Sequence, residues 1–355
     1  MSRQILRAGE WFVRSGIQES NGGVARYYRT DEHRNVPVST EITGYALSGF
    51  AYLHSVTGEQ RYLDAASRAA SFLAAAQEPF SGCIPFEMDG RDIAYFFDSG
   101  IIVRGLLCAW RALGDRQYLA SAASIGQSMI RGGFDSGSDF HPVINFDAMH
   151  PERRDPSRWS RDSGCYQLKA AMAWWDLAEA TGDHTYRAAY ERVLDYSLRG
   201  WTTFLPGHAE RPRVMDRLHA FLYFLEGLLP RANELRCTLA LCEGIRRTAA
   251  YLRDIAPEFA RSDVFAQLLR VRLYADSVGA LPLDREAAAF EAAQLAEFQS
   301  TEAEPRLDGG YWFGRTRGKW LPYMNPVSTA FAMQALELWR QHEEGAAMAP
   351  LHLLI

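Results

Sequence analysis

Three stretches of the chain read alike: SVTGEQRYLDAA (55–66), RALGDRQYLASA (111–122) and EATGDHTYRAAY (179–190). In each, a glycine (Gly58, Gly114, Gly182) is followed by an acidic residue and, four places on, by a tyrosine (Tyr62, Tyr118, Tyr186). This run suits the corner of a helical hairpin. Glycine takes the left-handed conformation that ends one helix, the acid favours the N-terminus of the next, and the tyrosine opens that helix's buried stripe. A second set of markers lies upstream: Thr43-Gly44, Asp98-Ser99-Gly100 and Asp162-Ser163-Gly164. Gly44 to Gly58 is 14 residues, Gly100 to Gly114 is again 14, and Gly164 to Gly182 is 18, one helical turn longer.

Two markers in phase define a repeat, and a repeat sets the architecture. Each unit reads as an inner helix, a glycine turn, an outer helix and a longer loop. The inner helices are predicted at 42–56, 99–113, 163–181, 215–229, 263–278 and 325–341, where Ala, Gly, Leu and aromatic residues cover most of the circumference. Outer partners follow at 59–77, 115–131, 183–200, 231–253 and 284–299, and a helix over 3–17 pairs with the last inner one. Six hairpins without polar capping repeats close a ring rather than an open solenoid. The expectation is an all-α (α/α)6 toroid, one domain over 1–355, with long loops at one mouth (78–97, 132–161, 201–214, 300–324) and short ribbons at 24–30 and 311–314.

Composition narrows the function. The formal net charge is −5, with 23% charged and 48% apolar residues, so a basic excess for binding nucleic acid is missing. No apolar run approaches the ~20 residues of a membrane span. Glu10 and Arg14 interrupt the apolar core that a signal peptide would need. Five cysteines without a CxxC pair read as reduced thiols. A cytoplasmic protein is expected, with neither nucleic acid nor membrane as partner. No strand periodicity or GxGxxG run supports a Rossmann or TIM-barrel enzyme.

Chemistry is expected where inner-helix N-termini meet the long loops. Asp98 and Asp162 share a repeat position on consecutive hairpins, and neighbouring helices lie ~8–10 Å apart. That spacing overlaps the ~6.5–9.5 Å between the acid and base of inverting glycosidases. Burial beside Tyr95, Phe96 and Phe97 would raise one carboxyl's pKa and make it the acid. The structural alternative is that each aspartate only caps its helix. Glu41, one residue off that register, either caps or points into the mouth, and Tyr45 either faces the cavity or packs.

RPRVMDR (211–217) brings Asp216 and Arg217 to the fourth inner helix. Asp216 and His219, three apart, share a face, so His219 is either an acid/base oriented by Asp216 or a satisfied buried histidine. Arg161 and Arg217 suit an anionic sugar, or are solvated loop charge. Trp159, Tyr311 and Trp312 offer stacking faces for sugar rings or pack the loops, and Asp308 could accept a hydroxyl. No second His or Cys stands at ligand spacing from His219, so neither a metal nor another cofactor is expected.

The motifs STEITGY (39–45), YFFDSGIIVRGLL (95–107), SRDSGCYQLKAAMAWW (160–175) and NPVSTAFAMQALELW (325–339) resemble those of the six-hairpin toroid superfamily. It includes unsaturated glucuronyl hydrolases, N-acylglucosamine 2-epimerase-like enzymes and bacterial toroid proteins that accompany glycan metabolism. The resemblance implies a carbohydrate-active protein with a saccharide ligand, and two functional aspartates on successive hairpin loops. The leading expectation is a hydrolase of an anionic, uronate-like sugar using Asp98 and Asp162. The alternatives are a sugar epimerase using His219 and a non-catalytic toroid that binds a glycan or a partner. Isoprenoid chemistry ranks last, because no DxDD or DDxxD run is present. AAQEPFSGC (75–83) and EFQSTEAEPRLDGGYWF (297–313) are similar to the glutamine clamps of terpenoid cyclases, which tie outer helices to loops.

Overall fold

The computed structural model describes residues 3–88, 90, 92–132, 134, 140–206 and 210–355; parts of the predicted loops 78–97, 132–161 and 201–214 lie outside them. The α-helices of the described residues are α1 (Arg3–Arg14), α2 (Thr40–Thr57), α3 (Gln60–Ala76), α4 (Phe96–Leu113), α5 (Arg116–Arg131) and α6 (Gln167–Thr181). They continue with α7 (His184–Gly200), α8 (Arg211–Leu228), α9 (Leu235–Ile255), α10 (Ser262–Ser277), α11 (Arg285–Ala296) and α12 (Pro326–Glu343). Every predicted helix is present. The chain falls into two compact units. One takes Glu19–Ala25 and Pro37–Trp201 and holds the hairpins α2/α3, α4/α5 and α6/α7; the other takes the described parts of 1–18, 26–36 and 202–355 and holds α8/α9, α10/α11 and α12 with α1 packed on it.

The hairpin corners form as their residues dictate. Gly58, Gly114 and Gly182 have φ of 72°, 75° and 74°, and each N–H returns to the carbonyl four residues back. Asp115 and Asp183 then cap the next helix by accepting from Gln117 N and Thr185 N. Tyr62, Tyr118 and Tyr186 are buried; the Tyr118 hydroxyl meets Ser71 of α3, and that of Tyr186 donates to the Ala123 carbonyl of α5. Glycine also sets how closely those inner helices pack. A Cβ on Gly100 would stand 2.4 Å from Ala170 O, and one on Gly105 would stand 2.7 Å from Gly44 O, so α2, α4 and α6 touch backbone to backbone. Buried ion pairs join the inner helices within each unit: Arg104 to Asp176 at 2.8 Å between α4 and α6, and Arg270 to Glu226 at 2.5 Å between α10 and α8.

Four helix starts lie three or four residues from expectation: α8 begins at Arg211 rather than 215, α9 at Leu235 rather than 231, and the other two bear on the candidate site. α4 begins at Phe96 rather than 99, because β3 (Ile93–Tyr95), paired antiparallel with β4 (Val143–Asn145), delivers the chain in extended form up to its N-cap, Tyr95. α6 begins at Gln167 rather than 163, because a 3-10 turn at Trp159–Arg161 and the turn after it occupy the preceding residues. Asp98 therefore lies inside the first turn of its helix and Asp162 lies in a loop. Their local positions are not equivalent, although they fall in phase in the sequence.

The predicted ribbons are short strands. Tyr28–Arg29 pairs with Arg34–Asn35 and with Tyr323–Met324, while Phe259–Arg261, Gly314–Thr316 and Lys319–Trp320 form a second small sheet. The glutamine clamps are present too: Gln77 Nε2 donates to Gly82 O, and Gln299 Nε2 donates to Gln4 O and Gly309 O. Among the described residues, no helix is long and apolar enough to cross a membrane.

Candidate active site

The sharpest polar anomaly is at the starts of α2 and α4. Asp98 is only 7% exposed, and its Oδ2 has no hydrogen-bond partner among the described residues. The N-cap residue of α4 is Tyr95, without a side-chain cap bond, and Asp98 stands in the first turn behind it. Glu41 occupies the first turn of α2, the helix packed against α4 at Gly44. Burial in the first place, and the charge of Glu41 in the second, push the Asp98 carboxyl well above the usual carboxylate range. Both effects favour the protonated form of this carboxyl over the ionised one.

Around it the β3–β4 ribbon and the loop ahead of α6 gather a polar and aromatic cluster. Tyr166 stands at the α6 N-cap, fully buried, with Phe97 at 5.9 Å and Trp159 at 5.1 Å between ring centroids. Its hydroxyl donates to the Asp162 carbonyl at 2.9 Å and accepts from Gln167 Nε2 at 2.8 Å. Burial, then the charges of Asp162 and Asp98, raise its pKa, which places Tyr166 within electrostatic reach of both aspartates. Asp162 is half-buried, and its Oδ1 accepts from Ser163 N at 2.9 Å. Arg161 donates through Nε to the Tyr95 hydroxyl at 3.3 Å and makes no ion pair among the described residues. Tyr45 is buried on α2. Sequence reasoning missed Tyr166 and Gln167; their signal was the polar pair YQ at the head of an otherwise apolar inner helix.

In the other unit, His219 lies buried on α8. Its Nδ1 is 2.8 Å from Gln267 Oε1 and 3.3 Å from Asp263 Oδ2, both on α10. Two acceptors facing one nitrogen place the proton on Nδ1 and leave Nε2 as the basic site. Burial lowers the His219 pKa to about 4, with Asp263 opposing and Arg261 assisting. Asp216, 54% exposed at its side chain, is paired with Arg261 at 3.0 Å, and Arg261 also grips Asp263 at 2.6 Å. The carboxylate facing the histidine is thus Asp263, which the sequence reading did not single out. It stands in the first turn of its inner helix, as Glu41 and Asp98 do in theirs.

The remaining candidates also fall in this second unit. Arg217 donates to Phe204 O at 3.0 Å with its guanidinium 5.3 Å from that ring. Asp308 is ion-paired with Arg7 at 2.5 Å. Tyr311 is fully buried, and Trp312 stacks on Trp320 at 6.0 Å. Among the described residues, no group of three or more His, Cys, Asp or Glu side chains could hold a metal ion.

The family model of the β-L-arabinofuranosidase GH127 catalytic domain matches residues 24–198. No curated protein matches the sequence. Among solved structures, a sugar epimerase from a ruminal bacterium is similar at 13% identity and a TM-score of 0.71, over 94% of this chain and 97% of that one. A cellobiose 2-epimerase from Spirochaeta thermophila is similar at 15% identity and 0.71, over 96% of each chain. An inactive variant of an α-1,6-mannanase of Salegentibacter sp., GH76A, in complex with α-1,6-mannotetrose, is similar at 10% identity and 0.63, over 95% of this chain and 99% of that one. At these identities the likeness speaks for the fold alone, and that fold is an (α/α)6 toroid.

Proposed function

We propose that the chain works as one domain and is a carbohydrate-active enzyme that hydrolyses the glycosidic bond of an anionic sugar, with Asp98 as general acid and Asp162 as general base. The observation that carries this reading is the buried Asp98 carboxyl, unpaired at Oδ2 among the described residues, with its pKa raised by burial and by Glu41. A carboxyl in that state donates its proton to the leaving glycosidic oxygen as the C1–O bond breaks. Asp162 takes a proton from water, whose oxygen attacks C1 from the opposite face, so the anomeric configuration inverts. Arg161, without a carboxylate partner among the described residues, supplies a guanidinium to read the sugar's own carboxylate. Glu41, Asp98 and Asp162 all fall within the residues matched by a family model described as a glycosidase catalytic domain, which supports hydrolysis.

A second reading has its own observation. His219, hydrogen-bonded through Nδ1 and with its pKa lowered to about 4 by burial, offers Nε2 as the base that removes a proton from a carbon next to a carbonyl, as epimerisation requires. Similarity in fold to two sugar epimerases favours keeping it. Turnover of uronic-acid glycosides, followed by proton NMR of the released anomers, separates the two. The hydrolase reading expects Asp98→Asn and Asp162→Asn each to lose about a hundredfold or more in kcat, with His219→Ala much less affected. Loss of activity on His219→Ala alone, with epimerised rather than cleaved product, would establish the second reading instead.

A further inference from the structure

Away from both clusters, the outer side of the second unit carries a cavity of 340 Å³ between α9, α10 and α11. Two arginines, Arg253 and Arg272, and three acids, Asp284, Glu286 and Glu291, line it together with Leu252 and Phe290. Elsewhere in this unit such neighbours pair off, as Arg246 does with Glu243 and Arg340 with Glu337. Here most of them do not. Arg272 is 9% exposed and bonds both Glu291 oxygens through Nε alone, at 3.0 Å, so its two terminal nitrogens have no partner among the described residues. Arg253 and Glu286 make no ion pair or side-chain hydrogen bond among the described residues. Asp284 uses Oδ1 to cap α11 through Ala287 N, which leaves Oδ2 unengaged. Apart from the Arg272–Glu291 contact, opposite charges thus face one void without an ion pair among the described residues. Phe290 adds a half-exposed ring on one wall, and a neighbouring cavity of 220 Å³ shares Arg272 and Asp284 and continues the apolar wall with Ile245 and Leu281.

We propose that this cavity binds a small zwitterion with an apolar side group, of the class of the aliphatic and aromatic α-amino acids. The carboxylate sits on the terminal nitrogens of Arg272 and on Arg253, the ammonium on Asp284 Oδ2 and Glu286, and the side group against Phe290 and Leu252. A purely anionic ligand would meet Asp284 and Glu286, and a purely cationic one would meet the arginines; only a ligand carrying both charges satisfies both sets. A neutral saccharide would leave every charge unmatched, so the site differs in chemistry from the one proposed for the sugar.

Isothermal titration of the full chain with L-leucine and L-phenylalanine tests this, with N-acetyl-L-leucine and L-leucinamide as blocked controls. Saturable binding is expected below about 10 mM, weakened about tenfold or more by blocking either charge. Arg253→Gln, at an exposed position, and Asp284→Asn, which keeps a good N-cap, should each weaken leucine by a similar factor while leaving the melting temperature unchanged. Absence of saturable binding, equal affinity for the blocked compounds, or variants that bind like the parent would overturn the proposal.

Discussion

Asp98 is a residue whose cost to the fold and whose use to the chemistry have one origin. A buried carboxyl without a partner is unfavourable when ionised, and its raised pKa means that stability is present at low pH and lost as pH rises through the folded value. Asp98→Asn removes that loss, so above neutral pH the variant should melt at or above the parent temperature. A capping aspartate would behave oppositely and cost about 1 kcal/mol on substitution by a non-capping residue. His219 has the reverse sign. Its folded value of about 4 lies below the ordinary 6.5, so its contribution is complete above 6.5 and drains away as pH falls towards 4. That window is worth at most about 3 kcal/mol. Urea unfolding between pH 7 and 4 should show a steep decline in the parent and a shallower one in His219→Gln; equal slopes would mean the histidine is accommodated in its charged form. Of this chemistry, the acids and the histidine were legible as residue types. Which acid serves which neighbour was not, since Glu41 lies far from Asp98, and Asp263 from His219, along the chain, and only helix packing joins them.

At the scale of elements, the hairpin grammar was legible because it is local. A glycine, an acid and a tyrosine at fixed offsets specify a corner, and the three corners form with φ near 70° at the predicted glycines. Helix starts were less legible where a non-local partner decides them: β4 holds the chain extended ahead of α4, and the helix starts at Phe96, which puts Asp98 inside its first turn. Two of the upstream glycines, Gly44 and Gly100, serve packing. Gly100 meets the Ala170 carbonyl so closely that Gly100→Ala must push α4 from α6, an overpacking cost of about 1–3 kcal/mol. Since Asp98 precedes Gly100 on the same helix, turnover should fall with stability in that variant. Gly114→Ala meets nothing within 4 Å and is strained only by its φ of 75°, so denaturant midpoints should show a loss of about 1 kcal/mol with turnover unchanged.

For the whole molecule, the fold places the chain among proteins of differing chemistry, epimerases and a mannanase included. Function therefore has to be read from side chains. The central claim is that Asp98 holds its proton at neutral pH. The most direct measurement is a carbon-13 NMR titration of the side-chain carboxyls, with the Asp98 signal assigned by its absence in Asp98→Asn and repeated in Glu41→Gln. The account predicts an Asp98 carboxyl still protonated at pH 7, with its titration moving to lower pH once the Glu41 charge is gone. An Asp98 signal that titrates in the ordinary carboxylate range, unmoved by Glu41→Gln, would contradict it.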